Sequence, residues 1–155
     1  MEPGEIYSKV KERFPQGVLE LKTDQGDPWM EVAPAAIAEV SAFLKENEDL
    51  LFDCLMCLSG VDYSQELAVV YHLFSMPRRH KIVLKVRLNK ESPCLPTVER
   101  VWPGAGFFER EAYDLFGIIF QGHSDLRRLL LPDDWEGHPL RKDYQYPASY
   151  HGVPV

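Results

Sequence analysis

Long apolar runs are missing from this 155-residue chain. The best, Leu50–Leu58, is short and interrupted by Asp53, whereas a bilayer span takes about 20 apolar residues. No membrane-spanning segment is expected. A basic excess is missing too. Seventeen Lys and Arg stand against 24 Asp and Glu, a net charge of -7. That is the wrong sign for neutralising phosphates, so nucleic acid is not an expected partner. Cysteine is scarce, with three residues, which fits a reducing compartment and excludes a disulfide framework. The opening Met-Glu-Pro-Gly-Glu has neither the basic stretch nor the apolar core of a signal peptide, and the protein is expected to stay in the cytoplasm. No Gly-rich phosphate loop or nucleophile elbow occurs. Gly104-Ala105-Gly106 is not a dinucleotide fingerprint, because the third glycine position is Glu109.

What is present suffices for one domain with a core: 45% hydrophobic and 26% charged residues. Ile6, Val10 and Phe14 recur at helical spacing over residues 5–14, and Pro15-Gln16-Gly17 ends that helix. Val18–Thr23 alternates as a half-buried strand, Asp24 to Pro28 turns, and Trp29–Val32 returns as a hairpin. A second helix begins near Pro34, with Ile37, Val40, Phe43 and Leu44 on one face. Leu50–Leu58 is expected as a central buried strand and Ser59 to Tyr63 as a turn. Leu67–Phe74 is a central strand, and Ser75–Arg79 turns around Pro77. From Lys81 the alternation is strict: Ile82, Leu84, Val86 and Leu88 one way, Lys81, Lys85 and Arg87 the other. Pro93–Pro96 connects to a short strand at Thr97–Trp102. A helix over 105–116 buries Phe108, Ala112 and Leu115 and ends at Gly117. Beyond it come short extended pieces, Ile118–Phe120 and Leu126–Leu131, among turn residues. The fold expected is α+β: a mixed, largely antiparallel sheet with helices packed on it over residues 1–117, then an extended, irregular C-terminal arm over 118–155. So little periodic structure in the arm implies ordering against something else.

Several clusters carry candidate chemistry. Cys54 and Cys57 form a CxxC, but inside a strand-like run, where positions three apart face opposite sides, so packing is the expected role. His123, Asp125 and His138, with Asp143, are ligand types for a metal-dependent hydrolase, yet each histidine adjoins a turn residue and suits a backbone contact. His72 shares a strand face with Val70 and Phe74, as a core histidine does. Arg78-Arg79-His80-Lys81, Lys85, Arg87 and Lys90 make a basic hairpin, a solvated face or a surface for an acidic partner. Glu109, Arg110 and Glu111 crowd one turn of an amphipathic helix and cannot all face solvent. Arg110 and Asp114 are i, i+4 partners. Of Arg127 and Arg128, one is placed to close on a carboxylate of this chain while the other faces outward. An internal ion-pair network and a docking surface are both consistent with this set, since Trp135, Leu140 and Tyr144 are anchors of the interface kind.

Glu109-Arg110-Glu111-x-x-Asp114-x-x-Gly117, then Gly122-His123-x-Asp125-Leu126-Arg127-Arg128-x-Leu130, then Glu136-Gly137-His138-Pro139-Leu140-Arg141-Lys142-Asp143-Tyr144 together resemble the signature of the 30-kDa subunit of respiratory complex I, the proton-pumping NADH:quinone oxidoreductase. Gly60-Val61-Asp62-Tyr63, Val69 to Leu73, Leu84 to Arg87, Val101-Trp102-Pro103 and Tyr150-His151-Gly152 extend the likeness over most of the chain. Two departures stand out: Ser124 where the family usually has proline, and Gly104 and Gly106 before the Glu-Arg-Glu.

The resemblance implies a scaffold on the cytoplasmic side of the membrane, an α/β domain whose C-terminal extension lies along the hydrogenase-large-subunit-like partner. That partner forms the quinone site together with the neighbouring subunit at the terminal iron–sulfur cluster. The resemblance implies no flavin, iron–sulfur cluster or quinone ligand, and no catalytic residue, in this chain. The residues carried over are interface residues. The polar set is Glu109, Arg110, Glu111, Asp114, His123, Asp125, Arg127, Arg128, His138, Arg141, Lys142 and Asp143. The apolar set is Trp135, Pro139, Leu140 and Tyr144. The rival expectations are the equivalent subunit of a related membrane-bound hydrogenase or other-donor dehydrogenase complex, and a stand-alone hydrolase using His123, Asp125 and His138.

Overall fold

The computed structural model describes residues 1–23 and 26–154. Helix α1 (Pro3–Arg13) starts before the expected residue 5 because Glu2 and Glu5 form a capping box across Pro3. Strands β1 (Val18–Lys22) and β2 (Trp29–Val32) form the expected hairpin; Asp24 and Gln25 of its turn lie outside the described residues. A 3₁₀ turn at Pro34–Ala36 leads into α2 (Ile37–Glu46). Then come β3 (Cys54–Asp62), β4 (Glu66–Ser75), β5 (His80–Asn89), β6 (Cys94–Pro96), α3 (Ala105–Phe116), β7 (Ile119–Gln121), β8 (Ser149–Tyr150) and β9 (Val153–Pro154).

The main sheet runs β1-β2-β5-β4-β3, antiparallel except for β2 beside β5. This is the mixed, largely antiparallel α+β fold expected. Met30, Leu58, Leu67, Val69, Tyr71, Leu73, Leu84 and Val86 share one core with Ile6, Val10, Ile37, Val40, Leu44 and Ala112 of the helices. The helices therefore cover one face. The other face carries half-buried Trp29, Val70, His72 and Phe74 beside Lys81, Lys85 and Arg87. Its cations are answered within the chain: Lys81 by Asp27, Arg87 by Glu31 and Glu66, and Lys85 by the Trp29 ring at 3.9 Å. Lys81, Lys85 and Arg87 of the basic hairpin thus lie on the open face with partners from this chain, while His80 is buried. His72 stands on that open face and not in the core.

Three expectations change. Leu50–Leu58 is not a central strand. Leu50 and Phe52 are buried in an irregular segment whose carbonyls accept from His80 Nε2 at 2.7 Å and Trp102 Nε1 at 2.9 Å. Side chains satisfy backbone that a sheet would otherwise have to pair. The strand starts at Cys54, lies at the sheet edge and continues through Asp62. Gly60 reads as a turn residue but is a strand residue, because a Cβ there would come within 2.6 Å of the Phe116 ring. Second, Cys54 and Cys57 share a face. A bulge after Leu55 sets them opposite Phe74 and His72, and both are half-buried. Third, Cys94–Pro96 is a strand paired in parallel with β7, while Thr97–Trp102 and Leu126–Leu131 form no strand. Ile118 and Phe120 belong to the core; beyond them, among the described residues, only Leu126 of the apolar side chains packs against it, partly buried.

Replacing Gly60 by alanine is expected to lower stability by about 1–3 kcal/mol through overpacking against Phe116, read from urea denaturation. Adding Phe116→Leu should restore part of it; a Gly60→Ala chain as stable as the parent would refute the close approach.

Candidate functional site

Helix α3 is where the sequence concentrates charge, and the structure turns most of it inward. Ala105, Glu109 and Ala112 form its buried stripe, and Arg110 and Asp114 are buried as well. The expected apolar positions Phe108 and Leu115 are only half-buried. A charged stripe survives burial only where donors and acceptors meet it. Each group here has its own set.

Asp114 is fully buried. Its Oδ2 accepts the backbone N–H groups of Leu129, Leu130 and Leu131 at 3.0, 2.7 and 2.9 Å. Its Oδ1 takes Arg128 Nη1 at 2.8 Å. Burial by itself would raise its pKa. The Leu131 N–H, the Arg128 guanidinium and the Leu130 and Leu129 N–H groups outweigh burial and hold it below 3.8. The expected Arg110–Asp114 pair does not form. Arg128 takes that carboxylate, and Arg110 donates to the carbonyls of Arg127 and Arg128 at 3.2 and 2.9 Å. Arg128 also donates to the carbonyls of Trp135 and Gly137 at 2.7 and 3.0 Å. Of the two adjacent arginines, Arg128 closes inward and Arg127, 65% exposed, stays outside with Asp125.

The C-terminal end of α3 leaves carbonyls without intrahelical partners. The arm supplies the donors. His138 Nδ1 meets Asp114 O at 2.9 Å, Leu140 N meets Leu115 O at 3.0 Å, and Arg141 Nε meets Phe116 O at 2.7 Å. A cation is favoured there by the helix dipole. Gly117 closes the helix at φ 73°, and a Cβ on it would lie 2.6 Å from the His138 ring. Gly137 lies as close to Tyr144, whose hydroxyl donates to Glu136 O at 2.9 Å. Asp62 fastens the arm farther on, accepting Lys142 N at 2.8 Å and Lys90 Nζ at 3.0 Å, while Lys90 also reaches Asp143 at 3.3 Å.

At the other end of α3, buried Glu109 accepts the Thr97 hydroxyl and, at 2.8 Å, Val98 N. Here burial prevails and raises its pKa, against those two bonds and nearby His123. Glu99 accepts Ser124 N at 2.7 Å. His123 Nδ1 accepts Asp125 N at 2.9 Å, which leaves Nε2 to donate to Gly106 O at 3.0 Å. Among the described residues no three His, Cys, Asp or Glu side chains converge as a metal set. His123 and His138 bond backbone at opposite ends of α3, so the hydrolase rival finds no common centre.

The outward surface is different in kind. Phe107, Leu130, Leu140 and Tyr146 are exposed by half or more, and Leu129 by 37%. Glu111 and Lys142 are exposed, and Pro139 and half-buried Trp135 lie along the same arm. The Trp135 ring packs on Tyr150 at 5.2 Å, and its Nε1 has no partner. Sequence reasoning missed Asp62, Lys90, Thr97 and Glu99. Asp62 lies in the Gly60–Tyr63 motif, where a turn was expected; nothing local distinguishes Glu99, which acts from 25 residues away.

Asp114→Ala leaves half-buried Arg128 without its carboxylate and three arm N–H groups without their acceptor, and should cost about 3–5 kcal/mol, with residues 122–154 becoming the first site of tryptic cleavage. Wild-type cleavage rates in the variant would contradict the anchoring role. Because Asp114 has a depressed folded pKa, its contribution is complete above pH 3.8 and is lost as pH falls through the lower folded value. Acid titration followed by tryptophan fluorescence should show release of the arm in that window, absent in Asp114→Ala.

Comparison with known proteins agrees over nearly the whole length. Residues 30–150 match the family described as respiratory-chain NADH dehydrogenase, 30 Kd subunit. The corresponding NADH-quinone oxidoreductase subunit of Chloroherpeton thalassium is 44% identical, over 99% of this chain and 66% of its own. The chain thus spans just under two thirds of that relative. Its counterpart in Chlorobium phaeobacteroides, likewise a subunit of NADH-quinone oxidoreductase, is 42% identical, over 96% of this chain and 92% of its own. Among solved structures, the trypsin-resistant fragment (1-134) of Nqo5 superposes with a TM-score of 0.63 at 29% identity, covering 81% of this chain and all of the fragment. A chain of the membrane-bound sulfane sulfur reductase, an archaeal respiratory membrane complex, gives 0.76 at 27% identity, covering 95% and 88%. The chain thus belongs to the respiratory-chain NADH dehydrogenase 30 Kd subunit family.

Proposed function

We propose that the chain is a structural subunit of the peripheral arm of a proton-translocating NADH:quinone oxidoreductase, on the cytoplasmic side of the membrane. Its partners are the quinone-reducing subunits: the hydrogenase-large-subunit-like one and the neighbour that completes the quinone site with it. The flavin, the iron–sulfur clusters and the quinone belong to those partners and to others of the complex. The observation that carries this reading is how the charged signature divides. Arg110, Asp114, Arg128, His138 and Arg141 fasten the arm to α3, and Glu109 holds the segment before the helix, while Leu130, Leu140, Tyr146 and Phe107 are left outward. Charge used for bracing and apolar groups left on the surface make a shaped rib for a neighbour. No helix among the described residues is long and apolar enough to cross a membrane; in this reading attachment runs through partners.

A second reading has a specific observation behind it. The higher of the two structural superpositions is with the sulfane sulfur reductase complex. In that reading the chain serves an assembly with another electron acceptor. Both readings place the chain beside a hydrogenase-like large subunit and differ in the chemistry at the far end.

Affinity isolation of the tagged chain from detergent-solubilised membranes should recover a hydrogenase-like large subunit together with NADH:quinone activity. Recovery of the large subunit without NADH oxidation selects the second reading, and recovery of the chain alone removes both. Leu130→Glu should reduce complex yield severalfold while leaving the midpoint of thermal unfolding of the chain unchanged, since Leu130 is 61% exposed. Equal loss of both would place Leu130 in folding and not in docking.

A further inference from the structure

The two edges of the main sheet are treated differently. On the β1 edge, Val18 N donates to Phe14 O, the Lys11 ammonium bonds Val18 O, and the Tyr7 hydroxyl bonds Leu19 O at 3.1 Å. Helix α1 thus closes that edge. At the other end β3 pairs with β4 alone, and among the described residues no hydrogen bond reaches its outer backbone. Soluble proteins guard such edges with lysine, proline or inward charge. In Cys54–Asp62 there is none of these before Asp62, which is already engaged by Lys90 and by Lys142 N. The bulge after Leu55 lies near one end, and Cys57–Asp62 keep an unbroken register.

Beside this edge runs a groove of about 170 Å³ that touches Leu58, Ser59 and Gly60. Leu58 and Gly60 face the helical layer and Ser59 the opposite side, so a cavity touching all three opens on the strand edge. Its walls are Phe108 and Phe116 of α3 and Leu140 of the arm. Glu111 stands at its rim, exposed and with no hydrogen bond or ion pair among the described residues. It is the member of the Glu-Arg-Glu that bracing does not use.

We propose that the β3 edge takes an extended segment of a partner subunit as an added strand, with an apolar side chain in the groove and a lysine or arginine on Glu111. This rests on the reading of the chain as part of a larger assembly. Backbone pairing supplies affinity, and the groove and carboxylate supply selection. A second copy of the chain fits poorly. Symmetric pairing along β3 sets Glu111 against an edge that offers no cation, between two chains of net charge -7. The chain's own C-terminal hairpin is committed elsewhere, to Asp134 through Tyr150 and His151.

The test places a photo-crosslinking amino acid at Ser59, and separately at Leu130, in the full-length chain within the assembled complex. An adduct from Ser59 to an extended run of a partner subunit with a nearby lysine or arginine is expected, with alternate amides of residues 57–61 protected from hydrogen exchange. Glu111→Arg should lose most of that adduct. Adducts from Leu130 without any from Ser59 overturn the inference and leave the scaffold reading standing. No adduct from either position overturns both. An adduct from Ser59 to a second copy, or one undiminished in Glu111→Arg, also overturns it.

Discussion

The carboxylate of Asp114 sets the constraint from which the rest of the structure follows. It is carried into the protein by the helix that must bury Ala105 and Ala112, and a buried anion is tolerated only when its lone pairs are met. Hydrogen bonds to a charged group contribute about 1.5–3 kcal/mol each, more than neutral ones. Four of them converge here, three from consecutive backbone N–H groups. Those donors belong to a segment with almost no core of its own. The arm is thereby held by polar satisfaction where apolar burial is absent, and its course along α3 is the course that supplies the donors.

The two ends of α3 show the same chemistry with opposite balance. Asp114 is over-supplied with donors and stays ionised; Glu109 has two, faces Glu99, and has its pKa raised by burial. Past Asp114 the arm goes on donating, now to the helix backbone: His138, Leu140 and Arg141 cover three of its last carbonyls. The negative end of the helix dipole and the arginine of the arm reinforce one another there. Charge is buried along α3 while Leu130 and Leu140 of the arm beside it are exposed, the inverse of the usual sorting.

Much of the sheet was legible locally. β4 and β5 followed from continuous and alternating apolar patterns, α3 from its spacing, and Gly117 from the need for a left-handed residue at its end. The signature from Glu109 to Tyr144 was legible as a unit because its charges and turns are closely spaced. β3 was misplaced because apolarity over Leu50–Phe52 marks burial and not extension, and because Gly60 serves a ring from α3 and not a turn. β6 escaped because a three-residue strand has no period to detect, and its pairing with β7 depends on residues 25 apart.

From sequence alone came the fold class, the hairpin, the central strands, and the list of charged and apolar residues at which the family resemblance pointed. These depend on spacing along one chain. Only the tertiary structure decided which charges face inward, that Asp114 pairs with Arg128 and not Arg110, that Asp62 and Glu99 join the network, and that Glu111 is left out of it. The pairings of Asp114, Glu99 and Asp62 rest on donors brought from 14 to 80 residues away, and the desolvation that makes such pairings obligatory exists only once the core has closed.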